Sequence, residues 1–213
     1  MSTHPLKRGR ERPTPELRLS PEIALRLGRL HEACGSGRRS FALWLASRMA
    51  GPVFWVAPEW TVEKLFPQGF QHLLDPSRLI FVAPTKAEDV LWSLEEVLRN
   101  GQVPLAIGDL PGPPALTPVR RLHLAAEQGG AVTGRLPMGL ILTPGDGGAA
   151  GVESRWQMSP RFHRDAHSWE LERLRARTAP VKTWAVRYDN KGFSVQSNSL
   201  SEGDPKNDIE KVE

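Results

Sequence analysis

An α/β fold is predicted: a mostly parallel, twisted sheet flanked by helices, with antiparallel strands at its C-terminal end. Three observations predict it. Between residues 29 and 143, short apolar runs alternate with longer stretches of helical periodicity, the pattern of βα units that lay down a parallel sheet. From 153 to 196 the apolar segments follow one another without helices between them, as antiparallel strands do. The length, 213 residues, suits one domain with a core of its own.

The first unit is a short strand over 29–34 (RLHEAC), a glycine turn over 35–39 and a helix (FALWLASRMA) that Ser40 is placed to cap and that Gly51 and Pro52 stop. A buried strand follows over 53–57, then a helical stretch over 59–74 and a third strand over 78–82. The clearest helix spans 85–100, where Val90, Leu91, Leu94, Val97 and Leu98 form one apolar stripe that Gly101 ends. A fourth strand over 103–108 runs into Asp109; the helix VRRLHLAAEQ, the fifth strand over 139–143 and the loop PGDGGAAGV come next. The late strands are expected over 153–158, 169–175, 182–188 and 192–196, although WELERLRAR also fits a helical turn. Residues 1–20, basic and rich in proline, are expected to be a flexible arm; 21–196 form the domain, and 197–213 are expected to be a disordered acidic tail.

No apolar run reaches the ~18 residues a membrane helix needs, the first twenty residues hold no apolar leader segment, and a single cysteine makes no internal disulfide. A cytoplasmic protein is expected. Charge is unevenly spread: residues 1–40 carry nine Lys/Arg against four Asp/Glu, and 120–187 carry eleven against six. Residues 41–119 carry five against eight, and 188–213 three against six. Arginine outnumbers lysine in the basic regions, which suits bidentate contact with phosphate or carboxylate, though composition bias alone produces the same excess.

Gly35, Ser36, Gly37, Arg38, Arg39 and Ser40 lie between a strand and a helix, where a phosphate-binding loop belongs. The content differs from such a loop. No GxxxxGK[ST] is present, and Arg38 and Arg39 stand where a lysine and a hydroxyl would hold phosphate and Mg²⁺. RLHEACG, SGRRSFAL and LIFVAPTKAEDVLWSLEEVLRNGQVPLAIGD, in that order, resemble the nucleotide-binding core of RecA. The resemblance places Glu88 at the glutamate that activates water and Asp109 at the carboxylate that holds Mg²⁺ through water. Residues 35–40 then resemble the RecA phosphate loop shortened by about three residues and without its lysine.

HEACG with FALWLA, DPSRLIFV, DVLWSLEEVLR, RRLHLAAEQGG, ESRWQMSP and LERLRAR together resemble the ImuA family, bacterial RecA-related proteins sometimes labelled SulA-like, over roughly residues 22–190. This resemblance implies a role in the damage-induced SOS response and mutagenic translesion synthesis. The implied partners are an ImuB-like protein, an error-prone DnaE-type polymerase and RecA; the clustered arginines add an expectation of weak, non-specific DNA contact, and the late basic hairpin one of contact with a second copy of this chain. Two departures from RecA matter for mechanism. The fifth strand ends in Leu142, Thr143 and Pro144 where RecA has a coupling glutamine, and the next loop is short and holds no basic residue. A non-catalytic assembly factor without ATP, Mg²⁺ or other cofactor is therefore expected. A residual RecA-type ATPase, resting on Glu88 and Asp109, and a SulA-like cell-division inhibitor are the alternatives.

Arg120, Arg121, Arg175 and Arg177 are candidate contacts to partners or nucleic acid. Arg175 and Arg177 alternate along a late strand, and in relatives of the helicase and RadA type a similar basic ending reaches a neighbouring subunit; an exposed basic hairpin is the simpler alternative. His163 and His167 are spaced i, i+4 but lack the further ligands of a metal site, and Cys34 lacks a patterned histidine, so neither metal binding nor thiol chemistry is expected. Of seven tryptophans, Trp44, Trp55 and Trp92 are expected in the core, with Trp60, Trp156, Trp169 and Trp184 candidates for interfaces.

Overall fold

The computed structural model describes residues 15–163 and 166–197. The expected arm as far as residue 14, the tail from 198 onward, and the His163 side chain with Asp165 lie outside them. Two antiparallel strands come first among the described residues, β1 (Glu16–Ser20) and β2 (Ile23–Arg26). Residues 16–20 are thus a strand rather than part of an arm. Leu19, Ile23 and Leu25 bury themselves in the core, and Glu22 at the turn accepts a 2.7 Å bond from Trp184 Nε1, which ties the hairpin to the late strands.

β3 (Leu30–Cys34) leads through the glycine turn into α1 (Arg38–Ser47), and β4 (Val53–Val56) follows. The helix expected over 59–74 shrinks to a single turn, α2 (Pro67–Phe70). Pro58 and Pro67 remove N–H donors and Gly69 weakens what remains; Phe70 and Leu74 are buried in the core, with Leu65 and Leu73 packed partly against it. The edge strand β5 (Leu79–Val82) and α3 (Ala87–Asn100) agree with expectation to within two residues, and Gly101 ends α3 in a left-handed conformation. After β6 (Leu105–Asp109), α4 runs much further than the sequence suggested, Leu116–Thr133. It passes through Gly129 and Gly130 because the helices touch there: a Cβ on Gly129 would stand 2.1 Å from the Leu98 carbonyl oxygen of α3. Gly129 allows close packing on α3, Gly130 leaves room for Leu136 of the following loop, and neither ends the helix.

β7 (Met138–Leu142), β8 (Ser154–His163), β9 (Ala166–Ala176), β10 (Lys182–Asp189) and β11 (Gly192–Ser197) complete the described residues, so WELERLRAR is strand as far as Ala176. Nine strands form one mixed sheet in the order β11-β10-β9-β8-β3-β7-β6-β4-β5. From β8 to β5 they run parallel, and from β8 to β11 antiparallel. α1 packs on one face and α3 with α4 on the other, which buries every residue of β3, β6 and β7. Trp156 and Trp184 belong to the core: Phe41 stacks on Trp156, Trp184 meets Trp156 at a tilt, and Arg173 lies over both indole rings. Trp92, expected inside, is 59% exposed on α3. No described helix is long and apolar enough to cross a membrane.

Candidate functional site

β4 and β6 are neighbours whose following segments leave over opposite faces of the sheet: residues 57–78 over the α1 face, α4 over the other. Such a switch point opens a crevice at the carboxyl ends of the strands. Two adjoining cavities of about 320 and 260 Å³ lie there, sharing Arg39, Pro58, Thr61, Glu63 and Asp109. The first also takes in Arg38, and the second is walled by Trp55, Leu65 and Phe81.

The glycine loop feeds this crevice, but three of its backbone donors already have partners within the chain. Gly35 N–H donates to the Gly145 carbonyl at 2.9 Å, Gly37 N–H to the Met158 carbonyl at 2.8 Å, and Arg38 N–H to the Gly35 carbonyl at 3.3 Å. The two glycines serve close packing. A Cβ on Gly35 would sit 2.6 Å from the Met158 oxygen, and one on Gly37 2.9 Å from the same atom. The β8 backbone thus occupies the inside of the turn, where a phosphate cradle would need open space and inward N–H groups. Ser36 is exposed. Ser40 is no cap: α1 starts from Gly37 with no side-chain capping bond, and Ser40 falls inside its first turn.

Asp109, buried at the end of β6, is held by the loop arginines. Arg39 Nε donates to its Oδ2 at 2.7 Å, Arg38 Nε stands 3.8 Å from its Oδ1, and Arg39 also bonds Glu63. The guanidinium therefore sits on the carboxylate to which the RecA resemblance would give Mg²⁺. Glu88 is exposed on the first turn of α3 and lines neither cavity, so the structure does not bring it beside Asp109 in a shared pocket.

A residue the sequence reading passed over organises the adjacent loop. Glu32 on β3 is fully buried, and its Oε1 accepts from Thr143 Oγ1 at 2.7 Å, Gly148 N–H at 2.9 Å and Ala149 N–H at 3.1 Å. Its Oε2 accepts from Arg155 Nε at 2.5 Å. A carboxylate in the middle of a buried strand, three positions before Gly35, was the available signal. Cys34, next on that face, is buried and donates weakly to the Trp156 carbonyl at 3.5 Å; burial, then Glu32, pushes its thiol up to about 12, so it is inert.

The remaining candidates lie elsewhere. Arg121 is tied to Glu95 of α3 at 2.6 Å and braces two helices. Arg177 stands 3.5 Å from Glu153, while Arg120 and Arg175 are exposed and have no ion partner among the described residues. His167 stacks on Trp169, 6.3 Å between centroids. Compared with protein-family models and with curated protein sequences, the chain matches none of them.

Proposed function

We propose that this chain is a non-catalytic, RecA-like accessory protein of damage-induced, error-prone translesion DNA synthesis in the cytoplasm. It works by holding partner proteins together: an ImuB-like protein, a DnaE-type error-prone polymerase and RecA. The ordered set of segments that resemble the ImuA family supports this assignment. One observation carries the non-catalytic part: the N–H groups of Gly35 and Gly37 are bonded to the chain's own carbonyls, and Arg39 occupies Asp109. Two N–H groups of the turn and the Asp109 carboxylate are thus engaged within the chain, which weakens the site for a triphosphate and its Mg²⁺. The surface around the crevice suits docking instead. Trp60, Val62, Phe66 and Phe81 are all more than half exposed along the segment from β4 to the edge strand β5.

The test is damage-induced mutation frequency in host cells that lack the gene, complemented with variants. Deletion is expected to abolish induced point mutations, and a Glu88→Gln copy is expected to restore them as fully as the unaltered gene. Mutagenesis that survives deletion overturns the assignment, and a Glu88→Gln copy that fails to complement overturns the non-catalytic reading.

A further inference from the structure

At the other end of the sheet from the crevice, a groove of about 490 Å³ lies between α4 and the segments that flank β3, β8 and β9. Its α4 wall repeats at helical spacing: Leu116, Arg120 and Leu124 are four residues apart and share one exposed stripe, the leucines 37% and 57% exposed. Arg29 and Arg177 face them from the other wall. Glu153 at the groove's floor is almost wholly buried. Its Oε1 accepts from Arg26, and its Oε2 has no hydrogen-bond partner among the described residues, with Arg29 and Arg177 at 3.9 and 3.5 Å. His123 closes the floor, with Nδ1 accepting from Leu30 N–H and Nε2 bonded to the Gly151 carbonyl; burial holds it below its ordinary value, so it adds no charge. Glu127 on the rim is bonded to Arg29, so the lining carries three arginines against two glutamates and the surface is aliphatic with a small positive excess. Arg120 in particular lacks an ion partner among the described residues.

We propose that this groove is occupied by the chain's own acidic C-terminal segment, residues 202–213. That segment carries five carboxylates against Lys206 and Lys211, and Ile209 and Val212 stand among them at Asp208-Ile209-Glu210-Lys211-Val212-Glu213, the complement of an aliphatic and cationic stripe. The direction of β11 favours it. Ser197 pairs with Trp184, Trp184 with Leu171, and Leu171 with Met158, and β11 runs toward the end of the sheet where Ser154 pairs with Ala176. Three strand spacings across and four residues along put the groove roughly 20 Å from Ser197. Residues 198–207, extended, span roughly 33 Å, so the last six residues reach it. Nucleic acid fits less well, because no Phe, Tyr or Trp lines the groove for bases to stack on, the His123 ring is bonded on both nitrogens at the floor, and two carboxylates line it. The inference stands apart from the proposed function, since it needs only the groove and the tail.

The test uses full-length chains and a dye-labelled peptide of residues 202–213, read by fluorescence anisotropy. In a chain whose five carboxylates between Glu202 and Glu213 are replaced by amides, the groove is open and the peptide is expected to bind, more weakly as salt is added. The unaltered chain is expected to bind it at least tenfold more weakly, because the tethered segment competes at an effective concentration of about millimolar. Arg120→Glu in the amide-tailed chain is expected to abolish binding with an unchanged melt, and so is replacing Ile209 and Val212 by serine in the peptide. Equal binding to both chains, binding that survives Arg120→Glu, or a groove that takes a labelled thymidine oligonucleotide and not the peptide overturns the proposal.

Discussion

Replacing Glu32 by glutamine tests how the chain closes the region beside its glycine turn. The carboxylate is fully buried and accepts from Thr143, Gly148, Ala149 and Arg155. The amide keeps one oxygen for the Thr143 hydroxyl and the loop N–H groups, but turns an NH₂ toward Arg155 Nε. Arg155, whose side chain is itself largely buried, then loses its anion and keeps only the Ala149 carbonyl at 2.9 Å. Breaking a buried pair from one side costs roughly 3 to 5 kcal/mol, and the surviving oxygen contacts place this change near the lower end, about 3 kcal/mol. For a domain of this size that lowers Tm by roughly 6 to 12 °C. Urea and thermal unfolding measure it, and Arg155→Leu in the Glu32→Gln background is expected to recover part of the loss, because the two side chains are coupled. A loss below about 1 kcal/mol, or strict additivity of the two substitutions, would refute the view that this pair holds the 144–152 loop in place.

Burial pushes His31 down to about 4 from its ordinary 6.5, with Nδ1 on Ser154 and Nε2 on the Arg26 carbonyl. Below pH 6.5 the unfolded chain takes up a proton that the folded chain refuses, so this contribution is complete above pH 6.5 and falls by about 3 kcal/mol as pH drops to 4. Urea midpoints across that window check it, and His31→Gln is expected to flatten the slope; identical slopes contradict it. Gly35→Ala is expected to destabilise by at least about 2 kcal/mol, because the turn holds φ +81° and a Cβ would meet the β8 carbonyl; an unchanged melt would show that β8 does not fill the turn. DNA binding is expected to be weak, independent of sequence and steep in salt, with Arg175→Ala reducing the salt slope by about 1. Anisotropy over a salt series with several sequences decides it, and a flat response or a clear base preference counts against it.

The parallel half of the fold was legible because strands buried on both faces read as unbroken apolar runs, as in VFWV and MGLIL, and because the α3 stripe ends cleanly at Gly101. The hairpin over 16–26 was missed: its buried leucines and isoleucine alternate with Arg18, Glu22 and Arg26 beside prolines, and only the late strands, far along the chain, explain why they are buried. The helix VRRLHLAAEQ was drawn too short at both ends, and its run past Gln128 escaped notice because the close approach of Gly129 to α3 has no local signature. Trp92, Trp156 and Trp184 were misplaced for the same reason, since which face of an element is covered depends on the sheet order. The glycine turn and Asp109 were found in sequence, whereas their state was not: the Arg39 bond to Asp109 joins residues 70 apart, and the Met158 carbonyl that fills the turn belongs to a strand more than a hundred residues on.

Titrating the full chain with Mg-ATP in a calorimeter tests the central claim most directly. Charge-assisted hydrogen bonds from loop N–H groups and a lysine are each worth about 1.5 to 3 kcal/mol, and losing two or three of them moves a micromolar site to millimolar or weaker. No saturable heat is expected below about 1 mM nucleotide. A micromolar Kd, with hydrolysis that Glu88→Gln removes, would contradict the claim and make the protein a working ATPase.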